Sequence, residues 1–208
     1  MNEIHIPISD DLKNEAYEHA QERIEFEYDR SRYRSREQRI HMILIGSIGQ
    51  LLFKKNLEEN NINFEFEFQA GEYDAYDFRV NNKIIDVKTS GFEDSKGYKY
   101  LNLLYAEDQF AAGLRKNYEY CVQIFINGYQ RRARLLDRAK CNEGIIAGYI
   151  EFHKIKEFKN PLKRFWGDDY KVPLINLEPI SKLYKNMWFY AGIFSSKLNS
   201  FSTKYSTL

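Results

Sequence analysis

Apolar residues Ile40, Ile43, Leu44, Ile48, Leu51, Leu52 and Leu57 recur at the spacing of one face of an α-helix. They predict a helix over residues 36–60. Gly46 and Gly49 lie inside it. Glycine costs about 1 kcal/mol against alanine within a helix, so the pair predicts close backbone packing against a sheet. An earlier charged helix is expected from residue 10 to about residue 28, with Ser9 at its start and Asp10 and Asp11 in its first turn. After Asn60-Asn61 the period changes: Phe64, Phe66 and Phe68 alternate with Glu65 and Glu67, which predicts a half-buried strand over residues 62–69. Downstream, the pattern predicts a hairpin within residues 76–91 and a polar loop at 91–97. An extended piece near 98–105 and a short helix at 107–116 follow. A buried strand at 120–126, a turn at Asn127-Gly128 and a strand at 144–153 come next. A loop at 161–170, a helix near 181–187 and a polar tail beyond Lys197 end the chain. This is an α/β pattern without repeats or a clear linker.

The segment YDFRVNNKIIDVKTSG carries candidate chemistry. Asn81-Asn82 suits a two-residue hairpin turn, because Asn tolerates positive φ. With Val80 and Lys83 closing the turn, Arg79 faces Ile84, Phe78 faces Ile85, and Asp77 faces Asp86. Side chains alternate faces along a strand. One face then holds Asp77, Arg79, Ile84, Asp86 and Lys88; the other holds Phe78, Val80, Lys83, Ile85 and Val87, a mostly apolar set suited to a core. Directly opposed residues have Cβ atoms about 4.5–5.5 Å apart. Two bare aspartates at that distance repel, and a divalent cation resolves the repulsion. Mg²⁺ is typically held by one or two carboxylates plus water and phosphate oxygens. Lys88 would project beside it, able to bind a phosphate, orient water or stabilise developing charge. A surface hairpin with an outward charged face is the plainer reading.

Composition narrows the setting. The 208 residues suit one domain. A net charge of +1 announces no global nucleic-acid partner, so any such surface is local. Cys121 and Cys141 are too few for a disulfide scaffold and match no metal spacing, and His5, His19, His41 and His153 show no zinc-ligand spacing. The first residues lack the pattern of a signal peptide, and no apolar run reaches transmembrane length. The expectation is a cytoplasmic protein without a membrane partner.

An acid entering a strand, a hairpin, then Asp-Val-Lys, all preceded by a helix with a Gly-containing apolar face, resembles the PD-(D/E)XK nuclease superfamily. The matching positions are Asp77 and Asp86-Val87-Lys88. The upstream helix of that superfamily often carries a Gly-Glu pair whose glutamate completes the metal site. Here IGSIGQLLFKKNLEE places Gln50 at that position, with Glu37, Glu58 or Glu72 as substitutes. Tyr76 stands where a proline often precedes the first acid. YEYCVQIFI and IIAGYIEF look like later strands of the same core. The resemblance covers residues 36–153. It implies a restriction-endonuclease-like core, a central mixed β-sheet flanked by helices. The implied organisation is a single nuclease-like domain over 1–208: a helical extension at 1–35, a catalytic core at about 36–155 and a C-terminal extension at 156–208.

The expected activity is that of a metal-dependent DNA endonuclease using Mg²⁺, with Mn²⁺ as a substitute. Asp77 and Asp86 would bind the metal, Lys88 would act at the scissile phosphate, and Gln50 would be auxiliary. Arg30, Arg32, Arg34, Arg36 and Arg39 form one basic cluster; Arg131, Arg132, Arg134, Arg138 and Lys140 form another. Arginines suit bidentate phosphate contacts, so the clusters are expected to embrace DNA on either side of the metal. Pairing with Glu22, Glu25 and Glu27 is the structural alternative for the first cluster. Lys96, Lys99, Lys163, Arg164 and Phe165-Trp166 are further loop candidates. A restriction-type enzyme cutting duplex DNA as a homodimer is the first expectation, a junction or repair nuclease the second. The alternative from another class is a non-catalytic DNA-binding or protein-interaction module on the same fold.

Overall fold

A computed structural model of the chain describes residues 3–25, 34–66, 77–159 and 170–190, the side chains of 188–190 excepted. The first strand, β1 (Ile4–Pro7), leads into α1 (Asp10–Arg23). The Ser9 hydroxyl accepts the N–H of Leu12 at 3.2 Å, satisfying a donor that the first helical turn leaves open. The helix ends at Arg23, short of the expected residue 28, and residues 26–33 lie outside the described ones. Next comes α2 (Arg36–Glu59). Ser35 and Gln38 cap it reciprocally: Ser35 Oγ accepts the Gln38 N–H at 3.1 Å, and Gln38 Oε1 accepts the Ser35 N–H at 3.2 Å.

The expected hairpin is present as β2 (Phe78–Val80) and β3 (Lys83–Gly91). A short strand β4 (Asn102–Tyr105) and helix α3 (Glu107–Arg115) carry the chain across to β5 (Tyr120–Ile126). Two two-residue strands, β6 (Tyr129–Gln130) and β7 (Leu135–Leu136), form a ribbon before β8 (Glu143–Glu151). The chain closes with β9 (Tyr170–Pro173) and α4 (Ile180–Tyr190).

The five main strands form one mixed sheet in the order β1-β8-β5-β3-β2. β3 and β5 run parallel, and every other pairing in it is antiparallel. α1, α2 and α4 cover one face around Ile48, Leu52, Phe53, Phe78, Ile85 and Leu183. The other face carries a second core of Tyr105, Phe110, Phe125, Phe152, Tyr170 and Val172. It is roofed by α3, a 3₁₀ helix (Phe152–Phe158) and the two-stranded sheet of β4 and β9.

Some sequence expectations are corrected. The 62–69 strand reduces, among the described residues, to one bridge: Glu65 and Arg79 exchange backbone bonds of 2.8 and 3.0 Å, and residues 67–76 lie outside the described ones. The strand expected to reach residue 153 stops at Glu151, and Phe152 and His153 begin the 3₁₀ helix. Asn127-Gly128, expected as a turn, links β5 to β6, with Gly128 at φ 82°. Its flanking strand β5 pairs with β8, and the Asn127 side chain clips the intervening excursion by accepting the N–H groups of Asn142 and Glu143 at 2.9 Å each. Of the two helix glycines, only Gly49 meets the sheet: a Cβ there would lie 1.8 Å from Thr89 Oγ1, whereas one at Gly46 would meet nothing. The loop residues Lys163, Arg164, Phe165 and Trp166 and the tail beyond Lys197 fall outside the described residues. No described helix is long and apolar enough to cross a membrane.

Candidate active site

Asn81 at φ 47° and Asn82 at φ 65° both occupy the left-handed region, which a tight hairpin turn of this kind requires. The register follows: Val80 opposes Lys83, Arg79 opposes Ile84, and Phe78 opposes Ile85. This is the pairing derived from the sequence. It leaves Asp77 just before β2, at the mouth of the hairpin beside Asp86.

The two carboxylates are held differently. Asp77 turns towards the backbone of β3, where Oδ2 accepts the Val87 N–H at 2.7 Å. Its Oδ1 accepts from Gln50 Nε2 of α2 at 2.9 Å. Gln50, the position singled out upstream, therefore touches the first acid directly. Its amide gives Asp77 a donor where a glutamate would give a second negative charge. Asp86 is only 4% exposed and lies on the opposite face of β3 from α2. Its Oδ1 takes the Lys88 ammonium at 3.1 Å, and its Oδ2 takes the Tyr105 hydroxyl at 2.8 Å and the Cys121 thiol at 3.6 Å. On the face expected to be charged, Asp86 is thus covered by Tyr105 of β4, with Cys121 of the neighbouring strand β5 beside it. The apolar face packs as expected, with Phe78, Val80, Ile85 and Val87 all buried.

The electrostatics of the group follow from this roof. Burial is the largest influence on Lys88 and opposes its charge, but its neighbours, Asp86 first among them and Asp77 further down, outweigh it, so its ammonium is held above the ordinary lysine value. The Lys88 ammonium also lies 4.5 Å from the centre of the Tyr105 ring. Burial first, and Asp86 second, push both the Tyr105 hydroxyl and the Cys121 thiol up. Both stay protonated and serve as donors to Asp86. A cation held by Asp77 and Asp86 would meet hard carboxylate oxygens, with the Gln50 amide bonded to the first of them. That set fits Mg²⁺ or Mn²⁺. Among the described residues no third His, Cys, Asp or Glu completes a cluster with them. Glu37 and Glu58 do not substitute, since they lie about 20 Å and about 12 Å from Gln50 along the axis of α2. Glu72 is outside the described residues.

Tyr105, Cys121 and Gln123 were missed by sequence reasoning. Tyr105 and Cys121 reach Asp86 only through the fold. Gln123 left one signal, a polar residue within the apolar run of β5. It is fully buried, its Nε2 donates to the Ile124 carbonyl at 2.7 Å, and its Oε1 has no partner among the described residues.

The basic clusters meet on one side and do not flank the hairpin. Gln38 of α2 donates to the Ala133 carbonyl in the β6–β7 turn at 2.9 Å, and His41 Nδ1 accepts the Leu136 N–H at 2.8 Å. Arg34, Arg36 and Arg39 therefore lie near Arg131, Arg132 and Arg134. Gln50 is about 20 Å further along α2 than Arg36. Arg36 pairs with Glu25 at 2.8 Å, one of the glutamates named as its structural partner. Arg138 stacks over Tyr17 at 4.7 Å and bonds Asn14, and Lys96 pairs with Glu93 at 2.7 Å. Arg30 and Arg32 fall outside the described residues.

The His41 contact makes this ribbon pH-sensitive. Burial, opposed by the nearby Glu37, depresses the imidazole below its ordinary value. The unfolded chain then binds the proton more readily than the folded one. The contact's contribution is complete above about pH 6.5 and is lost as pH falls from there through the depressed folded value. Corrected for intrinsic rates, exchange of the Leu136 amide is expected to accelerate as pH falls below about 6.5. His41→Gln is expected to remove the dependence, and a flat protection factor in the wild type contradicts it.

No family model matches this chain, and neither does any curated protein or solved structure with which it was compared.

Proposed function

We propose that the chain is a Mg²⁺-dependent DNA endonuclease with a restriction-endonuclease-like core. One observation supports the reading: Lys88 pairs with Asp86 on β3, Asp77 accepts the N–H of Val87 between them, and Gln50 of α2 touches the first acid. Asp77 and Asp86 would hold the cation, with Gln50 as a weak or water-mediated ligand. A bound Mg²⁺ supplies Lewis-acid charge and lowers the pKa of water at the scissile phosphate. The protein's own groups do the rest. Lys88, held charged by its acidic neighbours, would serve as a permanent positive charge against the phosphate and not as a proton acceptor. The Tyr105 hydroxyl and Cys121 thiol fix the orientation of Asp86 from behind. Gln50 and the Val87 N–H do the same for Asp77.

DNA would lie across Arg131, Arg132 and Arg134 of the β6–β7 turn and the start of α2. Within the superfamily, a restriction-type homodimer cutting both strands is the leading form, ahead of a junction or repair enzyme. A non-catalytic DNA-binding or protein-interaction module is the second reading. It draws on Asp86, whose two oxygens already have three protein donors, and on Gln50, which brings no charge.

Supercoiled plasmid incubated with Mg²⁺, Mn²⁺ or EDTA separates them. Nicking or linearisation in Mg²⁺ or Mn²⁺ that EDTA abolishes is expected; binding without cleavage in either metal selects the module, and neither binding nor cleavage overturns both. The DNA surface has its own test. In EDTA, Arg132→Ala and Arg134→Ala are each expected to flatten the log-affinity against log-salt slope by about 0.9. An unchanged slope removes the turn from the interface.

A further inference from the structure

We propose that Gln123 is a positioning residue for Lys88: its amide oxygen is the acceptor the ammonium takes up when Asp86 is engaged by a cation. The inference rests on the metal-site reading given above. In the parallel pairing of β3 with β5, Lys88 is the register partner of Gln123. Register partners project from the same face of a sheet, on strands about 4.8 Å apart. Gln123 alternates with Cys121 and Phe125, both members of the core that roofs Asp86. The Nε2 bond to the Ile124 carbonyl fixes which end of the amide is which. The oxygen is the end left buried and without a partner among the described residues.

A second observation points the same way. The β5–β8 pairing slips by one residue between Gln123 and Ile124, opposite Gly148 at φ 147°. A Cβ at Gly148 would lie 2.5 Å from the Glu178 carbonyl oxygen, so only glycine fits there. Such bulges re-aim a side chain and interrupt regular pairing. The extra residue is Ala147 of β8, so regular pairing is interrupted opposite the one polar residue of β5's interior.

The chemistry supplies the reason. With no cation, Lys88 leans on Asp86. A divalent ion on Asp86 competes for the same oxygens and repels the ammonium. A largely enclosed ammonium displaced from its partner favours another acceptor, and the Gln123 amide oxygen one strand away is unclaimed among the described residues. Lys88 would then have two resting places, Asp86 in the empty site and Gln123 in the loaded one.

The test uses the full chain with ¹³C,¹⁵N-labelled lysine, the Lys88 side-chain resonance being assigned by its loss in Lys88→Arg. Gln123→Met and Gln123→Leu remove the acceptor, and Gln123→Glu keeps one. Both apolar variants are expected to melt no lower than the wild type, because an unpaired buried carbonyl is gone. Saturating Mg²⁺ is expected to move the Lys88 resonance in the wild type and in Gln123→Glu, and to move it differently in the apolar pair. Plasmid-nicking kcat is expected to fall about 10–100-fold in the apolar variants with little change in KM, and Gln123→Glu to recover part of it. A Mg²⁺ response and kcat equal to the wild type in Gln123→Met and Gln123→Leu overturn the assignment. The metal-free arm separates this from a failure of the nuclease reading. Asp86→Asn withdraws the competing charge without any metal, so adding Gln123→Met to it is expected to shift the Lys88 resonance again. If Asp86→Asn and the double variant give the same Lys88 resonance, the assignment fails whatever the protein does to DNA.

Discussion

Asp86→Asn is expected to abolish metal-dependent cleavage, by about 10²–10³-fold or more, while keeping the fold. The amide is isosteric and its oxygen can still accept from the Tyr105 hydroxyl and the Cys121 thiol, which now bond Oδ2. What is lost is the charge that would hold a cation. Lys88→Met should also lose cleavage, but with the opposite electrostatic consequence. It leaves a carboxylate that is 4% exposed with two neutral donors and no countercharge. Breaking a fully buried pair costs about 3–5 kcal/mol. Lys88 retains 27% side-chain exposure, so solvent screening reduces the expected cost to about 1–3 kcal/mol.

The two variants then respond differently to metal. A cation that binds the folded state alone, at a hundred times its Kd, stabilises by about 2.7 kcal/mol. Lys88→Met is expected to gain more thermal stability from Mg²⁺ than the wild type, since the ion replaces a missing countercharge. Asp86→Asn is expected to gain almost none. Melting curves with and without Mg²⁺ read this directly, without reference to DNA. Equal responses from all three proteins remove Asp86 from the metal site.

The second large effect concerns stability. Helix propensity alone says that alanine at either Gly46 or Gly49 stabilises α2 by about 1 kcal/mol. The packing reverses the sign at one of them. A Cβ at Gly49 falls 1.8 Å from Thr89 Oγ1 and 2.8 Å from Thr89 Cβ and Cγ2, so α2 must lift from β3. Overpacking of this kind costs about 1–3 kcal/mol. Urea denaturation is expected to show Gly46→Ala above the wild type and Gly49→Ala below it. Thr89→Ala should restore part of the loss in the Gly49→Ala background, because it removes two of the three contacts and leaves the Cβ. Additive single effects in that double-variant cycle contradict the direct contact. Gln50 follows Gly49 in the same helix, so displacing α2 is also expected to disturb the Gln50–Asp77 bond.

Much of this was legible in the chain. The hairpin register needed only a turn type and the alternation of side chains, both local rules. Asn81 and Asn82 supplied the positive φ values, and the pairing from Phe78 to Ile85 followed. The long helix was legible for a similar reason, since its spacing repeats over several turns and Ser35 and Gln38 cap it locally. β1 and β9 were not, because each is four residues long and is a strand only through its partner, β8 and β4 respectively. The sequence placed the two arginine clusters on opposite flanks, whereas the start of α2 contacts the β6–β7 ribbon. Their meeting depends on Gln38 and His41 reaching a ribbon more than ninety residues away.

By itself the sequence determined which residues are chemically notable: Asp77 and Asp86 at one hairpin mouth, Lys88 two residues on, and Gln50 on a capped helix. Periodicity and turn chemistry are properties of neighbours along the chain, so they survive without coordinates. Only the tertiary structure decided the environment of those groups. It placed Tyr105 and Cys121 on Asp86, set Gln123 beside Lys88, and buried Asp86 on a face whose other members stay partly exposed. Those contacts join residues from separate strands, and burial is a property of everything packed around a group.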